Sequence, residues 1–229
     1  MSARVTPILA VGVAIAGGLL AGLADAGGGV TITARPSIAL APQSPRYEPL
    51  VLTGSIPSPS AGTTVTVQAN ECSYPGWRDV TTTRTATGGR WQVAFDAASG
   101  MGLTKTTFRA RWRRAVSRPV VVLARPGVEL EQMKRMRWMV SLRALRSFLG
   151  RRGHLQRWDR EASRWRTIKT FRFTEKLTLP PGAQTAAGVW SETTFRQRIA
   201  RGTLVRVYVP RSQLRPCYLA AYSTIETVR

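Results

Sequence analysis

The chain has 229 residues, 43% of them apolar, and carries a formal net charge of +22. That length admits one large domain or two small ones, and the apolar share is enough to fill ordinary cores, which excludes wholesale disorder. Among the 34 basic side chains only Lys105, Lys134, Lys169 and Lys176 are lysines. A GC-rich genome enriches arginine without any selection for binding, so the charge by itself speaks to solubility and non-specific attraction rather than to fold.

The first element is a targeting segment. Residues Met1 to Arg4 precede an apolar run from Val5 to Ala24, and Ala24-Asp25-Ala26 has the small-x-small pattern of a signal-peptidase site. The expectation is a signal peptide over 1–26, cleaved after Ala26. The competing reading is a retained anchor, because the run is long enough to reach across a bilayer. Pro7, Gly12, Gly17, Gly18 and Gly22 make it a poor permanent helix. Cleavage removes Arg4 together with Asp25, so the mature charge stays at +22.

Residues after Gly27 fall into short alternating segments separated by Gly, Pro and Ser clusters, with no sustained helical period. Strands are predicted over Ile38–Ala41, Leu50–Ile56, Thr64–Glu71, Arg78–Thr85, Arg90–Phe95, Thr106–Arg113 and Pro119–Leu123. Turns are marked by Pro57-Ser58-Pro59, Pro75-Gly76 and Gly88-Gly89. In the sixth strand Thr106, Phe108, Ala110 and Trp112 share one face, and Thr107, Arg109, Arg111 and Arg113 share the other.

The chain then repeats itself. Ala34-Arg35-Pro36 returns as Ala124-Arg125-Pro126, an offset of 90 residues and about the length of one immunoglobulin-like domain. Val67-Gln68 returns as Leu155-Gln156, and Trp77-Arg78-Asp79-Val80 as Trp165-Arg166-Thr167-Ile168, both at offset 88. Two domains are expected, over 27–125 and 126–229. The second is longer at its end, so an insertion is expected between Thr174 and Ser191. Thr106 to Arg111 also resembles Thr193 to Arg198, at offset 87, which would make both the penultimate strand. The reading preferred here takes Thr194–Ile199 as strand E, Leu204–Val209 as F and Ala220–Val228 as G, because it leaves no orphan strand.

Gly153-His154-Leu155-Gln156-Arg157 with Trp165 downstream, then Thr194-Phe195-Arg196, Val205 to Pro210 and Cys217-Tyr218-Leu219, resembles the tandem bacterial Ig-like domains of secreted proteins from high-GC Gram-positive bacteria. The resemblance covers the whole mature chain and implies an all-β fold, two tandem immunoglobulin-like β-sandwiches, on an extracellular or cell-surface module without shared catalytic residues. Neither domain has a cysteine pair of its own, so the antibody-type core disulfide is absent.

Catalytic chemistry is poorly supplied. His154 is the only histidine, and no motif fixes a nucleophile or carboxylate beside it. One histidine and two distant cysteines do not make a usual zinc site. Asp159 and Glu161 lie among Arg157, Arg160 and Arg164, which reads as an ion-paired loop rather than a glycosidase pair. No nucleophile elbow or phosphate loop is present, so no enzyme, cofactor or metal is expected. The tryptophans sit beside arginines; alternation puts Trp91, Trp112 and Trp138 inside with arginine outside. Trp158 shares a face with Gln156 instead, where it presents a ring to a ligand or stacks under an arginine, and stacking is the expectation.

Residues 126–229 carry a net +14 and residues 27–125 a net +8. The cationic candidates are Arg143, Arg146, Arg151, Arg152, Arg157 and Arg160. They point to a secreted, non-catalytic binding or structural module whose partner is an anionic cell-wall polymer or a membrane surface. The alternatives are an accessory module for a protein partner, read through an exposed strand edge, and a non-specific nucleic-acid binder. Finally, Cys72 and Cys217 are expected to pair: in tandem sandwiches the end of strand C in the first domain and the FG loop of the second face the same junction.

Overall fold

Alternating segments become strands throughout, and they collect into four sheets. The computed structural model describes residues 29–39, 49–95, 104–134, 136–178 and 189–229. The expected signal segment and residues 179–188 of the expected insertion lie outside the described residues.

In the N-terminal half the strands are β1 (Thr33–Ala34), β2 (Ser37–Ala39), β3 (Leu50–Ser55), β4 (Thr64–Glu71), β5 (Tyr74–Arg84), β6 (Arg90–Phe95), β7 (Thr106–Trp112), β8 (Ala115–Val116) and β9 (Val120–Arg125). One sheet runs β1-β3-β6 and the other β2-β9-β7-β4-β5, with β8 on β7. Every pairing is antiparallel except β2 with β9. Arg35-Pro36 separates β1 from β2, so the chain leaves one sheet and joins the other at a proline, where no ladder donor is lost. The inward faces supply Leu52, Val65, Val67, Ala69, Phe108, Ala110 and Val122, all fully buried. Burying a Val, Leu or Phe side chain stabilises by about 1.5–3 kcal/mol each. Gly54 is required by close approach: a Cβ there would meet the Thr31 carbonyl oxygen at 2.1 Å and the Trp91 ring at 2.5 Å.

The C-terminal half holds β10 (Gly127–Lys134), β11 (Arg137–Ala144), β12 (Arg152–Asp159), β13 (Arg164–Arg172), β14 (Glu175–Thr178), β15 (Val189–Arg196), β16 (Leu204–Val209), the one-turn helix α1 (Arg211–Leu214), β17 (Ala221–Tyr222) and β18 (Glu226–Thr227). Its sheets run β10-β11-β15-β14 and β13-β12-β16, with β17 and β18 both paired to β16. Lettered in sequence order, the first is A, B, E, D and the second C, F, G with an added C′, the immunoglobulin arrangement. The final strands therefore pair with β16, as the preferred strand order requires. Strand E is displaced from its expected bounds: it occupies Val189–Arg196, not Thr194–Ile199, because Trp190 and Ser191 pair with Arg143 and Leu142 of β11. Residues 197–203 form the connection to β16 instead.

The buried residues form two clusters, one for each half, with Ala124 and Cys72 of the N-terminal half belonging to or packed against the C-terminal one. Only Pro126 separates β9 from β10. Cys72 and Cys217 are joined, with Cα atoms 5.4 Å apart. Around them Cys72 N–H donates to the Lys105 carbonyl, Lys105 N–H to the Cys217 carbonyl and Leu219 N–H to the Ala124 carbonyl, each at 2.9 Å. The Arg125 guanidinium donates to the Ala220 carbonyl at 2.7 Å. A ladder of backbone bonds thus continues across the junction beside the disulfide.

Tyr218, next to Cys217, is buried, and its hydroxyl accepts the Leu145 N–H at 3.0 Å while its ring meets Phe148 edge-on. Burial pushes the phenol up to about 12, opposed by the Leu145 N–H and by Arg146. The unfolded chain ionises near the ordinary value of 10, so this stabilisation is complete below pH 10 and is lost as pH rises towards 12. Tyr218→Phe is expected to flatten that alkaline loss. It should also cost about 1–3 kcal/mol at neutral pH by orphaning the Leu145 donor, as read by denaturant titration at a series of pH values.

Candidate functional site

A β-bulge recurs at the same place in both halves. In β5 the residue Val80 is passed over between the pairs Val67↔Thr81 and Gln68↔Asp79. In β13 Ile168 is passed over between Leu155↔Lys169 and Gln156↔Thr167. Bulges re-aim the residues beside them, and here they fix an outward glutamine on strand C opposite an outward residue of strand C′.

With each glutamine an arginine and a tryptophan complete the same trio on the outer face of the sheet. In the N-terminal half Arg109 Nε donates to Gln68 Oε1 at 2.7 Å, and its guanidinium lies 4.0 Å from the Trp77 ring centroid. In the C-terminal half Arg206 Nε donates to Gln156 Oε1 at 3.0 Å, and its guanidinium lies 4.3 Å from the Trp165 ring centroid. The two trios differ in what surrounds them. Gln68 Nε2 donates to Asp79 Oδ1 at 2.6 Å, and Arg111 donates to Asp79 Oδ2 at 2.9 Å. The repeat places Thr167 where Asp79 stands, and Tyr208 where Arg111 stands.

The C-terminal trio is extended by a row of stacked rings. Arg206 also lies 4.6 Å from the Tyr222 centroid, so its guanidinium contacts two aromatic rings. Tyr222 stacks on Tyr208 at 4.9 Å, and Tyr208 on His154 at 6.1 Å. Among the described residues neither phenolic hydroxyl, nor Gln156 Nε2, nor either terminal nitrogen of Arg206 has a hydrogen-bond partner in the protein. None of these atoms is buried. Burial holds the guanidinium below its usual value, opposed by Tyr222 and Tyr208, and it remains a cation at any ordinary pH.

His154 Nδ1 is 3.0 Å from Thr170 Oγ1 on β13, Tyr208 of β16 covers its ring, and Arg152 is the charge beside it. Burial, then Arg152, hold the imidazole below its ordinary 6.5, so it is neutral at pH 7 and gains its proton only under acid conditions. In an NMR titration its midpoint is expected below 6.5, and Arg152→Gln should raise it without restoring the ordinary value, because desolvation remains.

The expected cationic residues do not form one patch. Arg143 lies on the other sheet with its guanidinium 5.9 Å from the Trp190 centroid. Arg146 is turned onto the loop after α1, donating to the Arg215 carbonyl, with its guanidinium 5.1 Å from the Phe148 centroid. Arg151 and Arg152 are exposed at the start of β12, and Arg157 and Arg160 at its far end, roughly 20 Å away at about 3.3 Å per strand residue. Asp159 accepts the Ala162 N–H and pairs with Arg166 at 2.5 Å; the Ala162 bond contributes most to lowering its carboxyl below the usual range. It closes a turn, as an ion-paired loop does.

Trp91 and Trp138 are buried as alternation predicts, while Trp112 is half-buried under Arg113 at 4.7 Å. Trp158 departs from expectation. It is half-buried and meets Trp165 edge-on at 5.4 Å, and the stacking arginine covers Trp165 instead. The register Trp158↔Trp165, set by the turn between β12 and β13, puts one tryptophan between Trp158 and that arginine.

No protein-family model matches this chain, and no curated protein matches it. Among the described residues no group of acidic, histidine and cysteine side chains is placed to hold a metal ion. No described helix is long and apolar enough to cross a membrane. What the C-terminal half offers is a rigid, donor-rich sheet face with a fixed guanidinium at its centre.

Proposed function

We propose that this chain is an exported, non-catalytic module that attaches to anionic polymers of the cell envelope through the basic surface of its C-terminal half. The observation that carries the reading is the state of the arginines flanking the open sheet face. Arg151, Arg152 and Arg160 are exposed and make no ion pair among the described residues, in a half with net charge +14. Such side chains keep their full attraction for an approaching polyanion. The Cys72–Cys217 bond supports export, because disulfides persist in oxidising compartments.

Binding to isolated cell wall at rising salt tests the reading. Retention is expected to fall steeply between about 0.1 and about 1 M salt, as the screening length drops from about 10 to about 3 Å. Arg151→Gln with Arg152→Gln should weaken retention at low salt on every polyanion alike. Retention indifferent to salt would point to a protein partner instead, and a preference for one DNA sequence over another to nucleic acid, since phosphate attraction does not discriminate bases.

A further inference from the structure

In the N-terminal half the glutamine of the trio receives a carboxylate, with help from a second arginine outside the trio. There it belongs to the protein itself, as Asp79, received by Gln68 Nε2 and the neighbouring Arg111. The C-terminal half keeps the bulge, the glutamine, the stacked arginine and the tryptophan, with Thr167 in place of the acid and the Tyr208 phenol in place of Arg111. Gln156 Nε2, the counterpart of the amide that binds Asp79, has no partner among the described residues.

Resting on the polyanion reading above, we propose that the outer face formed by Gln156, Arg206, Trp165, Tyr208, Tyr222 and His154 is a binding site for a hexuronate unit of an acidic glycan. The sugar carboxylate takes the position relative to Gln156 that Asp79 takes relative to Gln68, and the ring hydroxyls meet Tyr208, Tyr222 and His154. Three observations select this ligand class. The guanidinium lies against both the Trp165 and Tyr222 rings, with Nε already bonded to Gln156. Its terminal N–H groups are therefore offered only in its own plane, which suits a planar carboxylate. The free polar atoms around it are hydroxyls, an amide and an imidazole, which match a ligand dense in hydroxyls. Tyr208 at the middle of the row is stacked by both Tyr222 and His154, whereas single-stranded nucleic acid needs open faces on which bases stack. The site lies on strands, so it is pre-formed.

The test uses the full disulfide-bonded chain and three probes: polygalacturonate, inorganic polyphosphate and single-stranded oligothymidylate. Arg206→Lys keeps the charge and removes the planar fork. It is expected to weaken polygalacturonate binding by about tenfold or more while leaving polyphosphate within about twofold. Equal weakening on all probes, or tighter binding of oligothymidylate than of polygalacturonate by the unaltered chain, overturns the site. A second measurement needs no variant: galacturonic acid, but not galactose, should shift the NMR signals of Tyr208, Tyr222 and His154, and absence of those shifts overturns the proposal. In either failure, salt-sensitive retention on cell wall would leave the broader attachment standing, and its loss would remove both.

Discussion

Replacing Cys72 and Cys217 by serine is expected to lower the stability of the oxidised chain by up to about 5 kcal/mol, the chain-entropy value for closing 145 residues. The effect acts mainly through the unfolded ensemble, which gains the freedom that the cross-link removed. The native junction should survive in weakened form, because the Lys105, Cys217 and Leu219 backbone bonds and the Pro126 link do not depend on sulfur. Two readouts separate these effects. The denaturant midpoint should fall, and amide exchange at Lys105 and Leu219 should speed up more than at Val140 or Val207 in the sheet centres. An unchanged midpoint would mean that the bond does not constrain the unfolded chain.

The second large effect is expected at Trp138, which is 1% exposed at the centre of the C-terminal cluster. Its Nε1–H donates to the Gln197 carbonyl at 3.0 Å, tying β11 to the turn that follows β15. Trp138→Ala removes the largest fully buried side chain, leaves a cavity beside Val140 and Phe195, and frees that carbonyl. A loss of about 3–5 kcal/mol is expected in equilibrium denaturation. Trp138→Phe should cost less, because it preserves part of the volume and gives up the hydrogen bond. Similar losses for both would place the energy in the bond rather than in packing.

The strands of the N-terminal half were legible because their alternation is regular: β4, β6 and β7 lie where the sequence places them, and β7 buries Phe108 and Ala110 as read. The junction disulfide was legible too, since the poles of a sandwich follow from strand order alone. Strand E of the second half was told from F despite the likeness of Thr193-Thr194-Phe195-Arg196 to Thr106-Thr107-Phe108-Arg109, but its bounds were set too late, because Val189, Trp190 and Ser191 were counted with the expected insertion and show their place only by pairing with β11. The Arg206 row was missed for a different reason. Its members come from β12, β13, β16 and β17 and meet only through pairing register. One signal for it was present: Gln68 and Trp77 return at offset 88 as Gln156 and Trp165, and both are outward residues that a core repeat has no reason to keep. The six arginines looked contiguous because they follow one another along the chain, but a turn and two sheets separate them.

The position of the disulfide also decides how the molecule carries load. Strands β5 to β16 and the helix all lie between Cys72 and Cys217. Pulled between a point before residue 72 and one after residue 217, the chain transmits tension through the sulfur bridge and bypasses them. Without the bridge, that segment would pay out roughly 500 Å of slack, at about 3.3–3.6 Å per extended residue. With it, only the flanking strands β1 to β4, β17 and β18 can be drawn out, and the sheet face holding Gln156, Arg206 and Trp165 stays largely shielded under tension.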